Sequence, residues 1–343
     1  MYIIYMENNK QKTINAMTET KKTISVVMCT YNGENFIREQ LDSILQQTVL
    51  ADEIIIQDDC STDNTYKILL EYAQKYPSIK VYQNPKNIGI NANFFDAISK
   101  AKGDYIAISD QDDIWNKHKL ELQIKNIGTN LLCGGRSIPF SAETGMSMVD
   151  MRIPNFNLLR WLFIGSIFGH TMLLSKELIK KIPDISEITP FRLYDAIIGM
   201  TAASYNSIIY LDEELVKHRR HINAATYHAP TDNKMSIKNI YRNIIRTWNF
   251  HRKLKPEIRK RLMVTHSFLK KMDSKEQIHR DALKMIELYT SNSIFDKLLL
   301  ELFCIKHYNK LFYSKVSRIM GSIRAIYFPI SLSEYYRYLL SKK

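Results

Sequence analysis

The chain predicts an α/β fold: a doubly wound, mostly parallel sheet with helices on both faces, followed by a basic, mostly helical C-terminal region. Three observations carry this expectation. Short apolar runs alternate with helical periodicities through the first 130 or so residues. These runs are continuously apolar rather than alternating, as expected of strands covered on both faces. Charge then splits along the chain: residues 217–343 hold 27 Lys+Arg against 9 Asp+Glu, and the residues before them hold 21 against 26.

The elements follow in order. Thr23–Cys29 is the first β-type run, and Glu34–Gln46 places Phe36, Ile37, Leu41, Ile44 and Leu45 at helical spacing. Glu53–Gln57 is a second strand. Ser61 and Thr62 can cap a helix that runs through Tyr76, with Ile68, Leu69, Tyr72 and Ala73 on one face. Ile79–Gln83, Asn91–Ala101, Asp104–Ser109 and Asn116–Ile127 continue the alternation. Strand and helix at this spacing imply βαβ units and a parallel sheet. Beyond residue 130 the pattern loosens: Gly134, Gly135, Pro139 and Gly145 signal loops. Phe156–Phe163, Lys176–Ile182 and Tyr194–Tyr205 read as helices, and Ser166–Leu174 and Ser207–Leu211 as strands. From Asn233 onward the chain reads as basic, aromatic-rich helices, with Ser293–Ile305 and Ser331–Leu340 amphipathic.

Composition narrows the class. A chain of 343 residues can bury a full core. Cys29, Cys60, Cys133 and Cys304 form no C-x-x-C pair, so neither a zinc site nor a disulfide framework is expected, and the thiols suit an intracellular protein. Residues 1–21 read as a loosely attached tail, because the apolar run Met1–Met6 is short and lacks the basic flank of a secretion signal. No stretch approaches the ~18 apolar residues of a spanning helix.

Polar clusters punctuate the scaffold. Thr30–Gly33 follows the first strand, Asp58–Asp63 the second, Asn84–Gly89 the third and Asp110–Asp113 the fourth. All four fall at the carboxyl ends of parallel strands, where open α/β sheets bind ligands. One such cluster is ordinary turn chemistry; four on one edge point to a nucleotide-and-metal site. In Asp110-Gln111-Asp112-Asp113, carboxylates at i and i+2 suit a hard divalent cation, Mn²⁺ or Mg²⁺, held against phosphate. The first turn has a single glycine, so it offers no G-x-G-x-x-G dinucleotide fingerprint, and the chain has no P-loop.

Together these segments resemble the family 2 glycosyltransferases of GT-A fold. The resemblance is carried by Ile24–Gly33, Ile54–Thr65, Asn87–Gly89 and Gly103–Trp115, and the S-D-Q-D-D-I-W form is similar to a bacterial rhamnosyltransferase-like branch. It covers roughly residues 22–230, within which 22–130 would form the nucleotide-binding half and 131–230 the acceptor half. The resemblance does not extend to residues 231–343.

The resemblance implies roles for individual residues. Thr30, Tyr31 and Asn32 would line the nucleoside pocket with Glu34 nearby; Asp59, with Asp58, would bind the base; Asn87 belongs to the third loop. Asp112 would be the main metal ligand. Asp110 would be shared between metal and ribose, while Gln111 and Asp113 shape the loop or face the acceptor. Asp195, opening an apolar helix after Tyr194, would be the base that deprotonates the acceptor hydroxyl. His170 would orient that hydroxyl. Arg219 and His221 would close over the diphosphate, with His221 a third metal ligand. Ala92 stands where the branch often has a Lys or Arg. The implied donor is a UDP- or dTDP-sugar, and the acceptor a glycan or lipid-linked glycan.

The basic rear suggests an anionic partner. For a cytoplasmic enzyme of envelope glycan synthesis that partner would be the inner face of the cytoplasmic membrane, met peripherally, and not nucleic acid. Two rival readings have discriminating features. A sugar-nucleotide nucleotidyltransferase needs a Gly-rich, Lys- or Arg-bearing first loop, which Thr30–Glu34 is not. A nucleic-acid binding module would have no use for Asp195 and the carboxylate loop.

Overall fold

A computed structural model of the chain describes residues 22–140, 153–165, 167–219, 237–312 and 317–336. The front half holds β1 (Ile24–Thr30), α1 (Ile37–Leu45), β2 (Glu53–Asp58), α2 (Thr65–Lys75), β3 (Ile79–Gln83), α3 (Ile90–Lys100), β4 (Tyr105–Ser109), β5 (Ile114–Trp115) and α4 (Lys119–Ile127). It continues through β6 (Leu132–Phe140), α5 (Leu158–Trp161), a 3-10 turn at Gly169–Thr171, β7 (Leu173–Ser175), α6 (Lys176–Lys180), α7 (Tyr194–Ser204) and β8 (Ile208–Arg219). The rear is helical: α8 (Ile237–Lys270), α9 (Gln277–Thr290), α10 (Ile294–Lys306), α11 (Tyr308–Leu311) and α12 (Arg318–Tyr335).

Among the described residues the strands form one sheet in the order β3-β2-β1-β4-β7-β6-β8-β5. β3, β2, β1 and β4 run parallel, as the alternating pattern requires. The far side is mixed, because β7 is antiparallel to both β4 and β6, and β5 is antiparallel to β8. β2 is buried along its whole length. Val27, Ile55 and Ile108 face one layer, while Val26, Met28 and Ile56 face the other and meet Ile37 and Leu41 of α1. Those two α1 residues and Ile44 recur at i, i+4 and i+7 and form the helix's buried stripe. The first layer does not stop at the sheet. It runs on through Trp161 and Ile197 to Leu254, Met285 and Phe328, so the rear helices share a core with the sheet.

Three expectations change. The strand expected at Ser166–Leu174 contains the 3-10 turn, closed by Thr171 N–H to Phe168 O at 3.0 Å and Met172 N–H to Gly169 O at 2.9 Å, and β7 begins only at Leu173. The loop expected around Gly134 and Gly135 is the strand β6. A Cβ at Gly135 would lie 2.4 Å from Leu215 Cδ1, so this glycine marks close packing in the sheet rather than a turn. The strand expected to end at Leu211 runs on to Arg219, which brings the basic segment Lys217–Arg219 into the sheet. All four cysteines are free thiols. No helix of the described residues is long and apolar enough to cross a membrane.

Gly103 lets β4 and β1 approach. Its N–H donates to Ser25 Oγ at 2.8 Å, and a Cβ there would lie 2.6 Å from the backbone nitrogen of Ser25. Backbone cannot yield as a side chain does. Gly103→Ala is expected to cost about 1–3 kcal/mol, read as a lower midpoint in thermal denaturation.

Candidate active site

The loops after β1 and β2 are built into each other. The Thr30 hydroxyl donates to Asp58 Oδ1 at 2.9 Å. Asn32 takes a left-handed φ of 49°, and its Oδ1 accepts from Thr62 N–H at 2.8 Å. Glu34 Oε2 accepts from the N–H of Asn64 at 2.9 Å and from its amide at 2.7 Å. Cys60 is also left-handed, at φ 63°, which is unusual for a residue with a Cβ and belongs to the strained backbone that collects at functional sites. Tyr31 is exposed, and its backbone is gripped by one side chain from the fourth loop: Tyr31 N–H donates to Gln111 Oε1 at 2.8 Å, and Gln111 Nε2 donates to Tyr31 O at 3.0 Å.

The two β2 carboxylates face inward. Asp58 accepts from Thr30, from the Ser61 N–H at 3.0 Å and from Gln83 Nε2 at 3.1 Å. Asp59 accepts from Asn84 Nδ2 and Ile88 N–H, both at 2.8 Å, and from Gly89 N–H at 2.9 Å. Asp59 therefore shapes the third loop, which leaves Asn87 exposed beside it.

The fourth loop is pinned at both ends. β4 lies in the middle of the sheet, and β5 pairs with β8 at its far edge, so Asp110–Asp113 spans the carboxyl edge between them. Trp115 packs under the Lys119 ammonium, 3.8 Å from its ring centroid; burial pushes this fully enclosed lysine down to about 7, and Gln123 Oε1 accepts from it at 2.9 Å. Asp110 and Asp112 are half-buried, whereas Asp113, expected to shape the loop or face the acceptor, is fully buried. Asp113 Oδ1 lies 2.9 Å from His218 Nδ1 and accepts from Arg219 N–H at 3.0 Å. Its Oδ2 lies 3.4 Å from His170 Nδ1 without a hydrogen bond. Burial would raise this carboxyl, but the charges of His170 and His218 and the Arg219 N–H hold it below the ordinary carboxylate range.

His170, on the 3-10 turn, is the counterpart. It stacks on His218 with ring centroids 4.9 Å apart. Its Nδ1 lies 3.2 Å from Asp110 Oδ2 and its Nε2 2.7 Å from Ser137 Oγ. Burial alone would lower the imidazole, yet Asp113, Asp110 and Asp112 together raise it. The ligand atoms of Asp113, His170 and His218 all lie within 4.8 Å of one another and could hold a metal ion. His218 was not singled out from the sequence, where it looked like one more member of a basic run; only the length of β8 turns it toward Asp113.

Asp195 opens α7. It is half-buried, accepts from Ala196 N–H at 2.7 Å, and has its carboxyl pushed up to about 6. Burial is the main cause and the charge of Asp110 adds to it, against the N–H groups of Ala196 and Gly169 and the charge of His170. The preceding Tyr194 is buried, stacks on Phe94 at 3.8 Å and points its hydroxyl at Asp110 Oδ1, 3.5 Å away. Asn91 of α3 fixes this junction. Its Oδ1 accepts from Tyr194 N–H at 2.8 Å, and its amide donates to Thr189 O at 2.9 Å and Arg192 O at 2.8 Å. Arg219 lies between the Phe36 and Phe140 rings, donates from Nε to Asp112 O at 3.0 Å and pairs with Glu39. His221 lies outside the described residues.

Carboxylates from the fourth loop, the 3-10 turn and the start of α7 thus meet at the carboxyl edge of a parallel sheet, the arrangement of an α/β enzyme. The chain belongs to glycosyl transferase family 2: the family's model matches residues 25–182, and an uncharacterized glycosyltransferase of Methanocaldococcus jannaschii is 30% identical over 209 residues, 58% of this chain and 71% of that protein. Its fold is GT-A-like. An uncharacterized protein of Mycobacterium tuberculosis is 30% identical over 216 residues, and the chain spans only 62% of that relative's length. The dTDP-rhamnosyl transferase RfbG of Shigella flexneri is 44% identical over 99 residues, 27% of this chain and 34% of that protein. Among solved structures, S. aureus TarS 1–349 in complex with UDP-GlcNAc superposes with a TM-score of 0.54 at 18% identity, covering 92% of this chain and 91% of that one. The mannosyltransferase PcManGT of Pyrobaculum calidifontis, solved with GDP-Man and Mn²⁺, gives 0.50 at 15% identity, covering 95% and 89%.

Removing one partner of a buried ion pair leaves the others uncompensated, at a cost of about 3–5 kcal/mol. Asp113→Ala is expected to lose stability on that scale in denaturant melts, and Asp113→Asn clearly less, since the amide still accepts from the Arg219 N–H.

Proposed function

We propose that the chain transfers a sugar, with inversion, from a UDP- or dTDP-sugar to a hydroxyl of a growing bacterial surface glycan of capsule, O-antigen or lipooligosaccharide type. The reaction would take place at the cytoplasmic side of the envelope. In this reading residues 22–230 carry the chemistry. The observation that carries it is Asp195, a carboxyl raised to about 6 at a rigid helix start and coupled to the loop Asp110–Asp113 through Asp110 and His170. The dTDP-rhamnosyl transferase RfbG and the TarS fold, solved with UDP-GlcNAc, support this donor class, while the PcManGT fold, solved with GDP-Man, keeps GDP-sugars in the test.

The chain's own residues would act as follows. Thr30, Tyr31, Asn32, Glu34 and Asn87 border the nucleoside, with Asp58 and Asp59 holding those loops in shape. Asp195 takes the acceptor hydroxyl's proton as its oxygen attacks the anomeric carbon from the face opposite the nucleotide, so one displacement inverts the centre. His170, buried between Ser137 and Asp110, holds the carboxylate loop against the 3-10 turn. Arg219 lies at the loop's edge, where a guanidinium suits phosphate.

A divalent ion fits this site. Asp110 and Asp112 present half-buried carboxylates at the cleft, and oxygen ligands with substrate phosphate are what Mg²⁺ and Mn²⁺ take. The Asp113–His170–His218 group is the less suitable holder for an ion shared with substrate phosphate, because a diphosphate cannot reach a fully buried Asp113. When bound, the ion would neutralise the departing diphosphate. His221 stays a further candidate ligand.

The test is a turnover screen of UDP-, dTDP- and GDP-sugars with Mn²⁺ or Mg²⁺. Asp112→Ala is expected to abolish metal-dependent turnover with little change in melting temperature; full turnover in that variant sinks the metal assignment. Asp195→Asn should lose about 10²–10⁴-fold in kcat, and the parent's kcat should rise with pH through about 6, where Asp195 ionises. The stability sign runs the other way. A raised carboxyl favours the fold most when protonated, so its contribution is complete below about pH 4 and lost as pH passes about 6. At pH 8 Asp195→Asn should therefore melt no lower than the parent. An inactive variant that also melts much lower would mark Asp195 as structural.

A further inference from the structure

We propose that the outward faces of α10 and α12 form a docking surface for a membrane leaflet rich in anionic lipid. The two helices pack against each other, and each turns a buried side inward, through Leu300 and Cys304 on α10 and through Ala325 and Phe328 on α12. Their opposite sides are apolar as well. On α10 the outward positions are Ile294, Leu298 and Leu302, spaced i, i+4 and i+8, with Phe295 beside them; on α12 they include Ile319 and Ile323. Ile294 and Ile319 are each 76% exposed, and Leu302 62%. A soluble surface helix normally turns charge outward; a helix apolar all round belongs in a core or against lipid.

Charge selects the occupant. Lys255 and Arg259 of α8 crowd Lys297 of α10 closely enough that burial and these two neighbours depress Lys255. Lys306 on α10 and Arg318 and Arg324 on α12 add cations on the same two helices. The acids on the two helices are Asp296, Glu301 and Glu334, so these six cations outnumber them two to one. An apolar face with a basic border matches the boundary between acyl chains and anionic headgroups. A second copy of the chain fits less well, since it would set this border against itself. The inference is independent of the donor and acceptor chemistry proposed above.

The experiment is co-sedimentation of the full chain with phosphatidylcholine vesicles, with and without phosphatidylglycerol, at low and high salt. Binding is expected only with phosphatidylglycerol, and to weaken with salt. Lys255→Gln with Lys297→Gln should lower the partition coefficient about fivefold per cation while leaving the melting temperature unchanged or raised, because two crowded cations are removed. Leu298→Glu with Ile323→Glu, both at exposed positions, should abolish binding without loss of the fold or of sugar-nucleotide turnover. The proposal is overturned if the parent ignores anionic vesicles at low salt, or if the double glutamate variant binds as the parent does. It is also overturned if the parent is a dimer that the same substitutions make monomeric while vesicle binding is nil.

Discussion

The fully buried Asp113 carboxylate is the constraint on which the rest of the site depends. It lies on the loop between β4 and β5, yet its partners come from elsewhere: His218 and the Arg219 N–H from the end of β8, and His170 from the 3-10 turn. A carboxylate with no access to water is tolerable only with such compensation. Satisfying it forces three separate chain segments together and fixes the path of the loop. Asp110 and Asp112 flank it on that same loop and keep partial access to solvent. The one buried acid thereby orients the two accessible ones.

The opposite wall of the cleft is set by amide chemistry instead. Asn91 uses both ends of its side chain to join α3 to the segment entering α7. Tyr194 then stacks on Phe94 and reaches toward Asp110, and Asp195 follows at the next position. A carboxyl on a loop would relax into water and titrate normally. Held buried at this position, with Asp110 beside it, it is raised to about 6 despite the helix-start N–H groups.

The parallel half was legible in the sequence because its strands are continuous apolar runs with polar clusters at one end, and periodicity reports that directly. Gly134 and Gly135 misled because composition cannot separate a turning glycine from one that admits Leu215 or Ile167. Ser166–Leu174 looked like a strand because apolar residues surround His170 and Thr171, whereas the histidine's partners, Ser137, Asp110 and Asp113, lie 33 to 60 positions away. Long-range polar pairing leaves no local pattern. The same reason hid His218 and the buried Lys119. Asp58 and Asp59 were recognisable as a motif, but their hydrogen bonds inward, to loops rather than to the cleft, emerge only in three dimensions.

The rear helices bear on this site through the core rather than as a separate appendage. Arg261 of α8 donates to Phe191 O at 3.0 Å, in the same short segment whose Thr189 and Arg192 carbonyls Asn91 holds from the other side. Arg160 of α5 donates to Leu311 O at 3.1 Å, Asn155 to Phe312 O at 2.6 Å, and Ser274 to Ser204 O at 2.5 Å at the far end of α7. The helix that carries Asp195 is thus clamped by both halves of the chain, at its entry through Asn91 and Arg261 and at its exit through Leu131 and Ser274. Its own sequence is apolar on nearly every side, with nine of its eleven residues buried, so it has no solvent-facing polar stripe to orient it and depends on its neighbours for its setting. The basic region thus shares with Asn91 the setting of the segment that precedes Asp195, whatever surface its outer face meets.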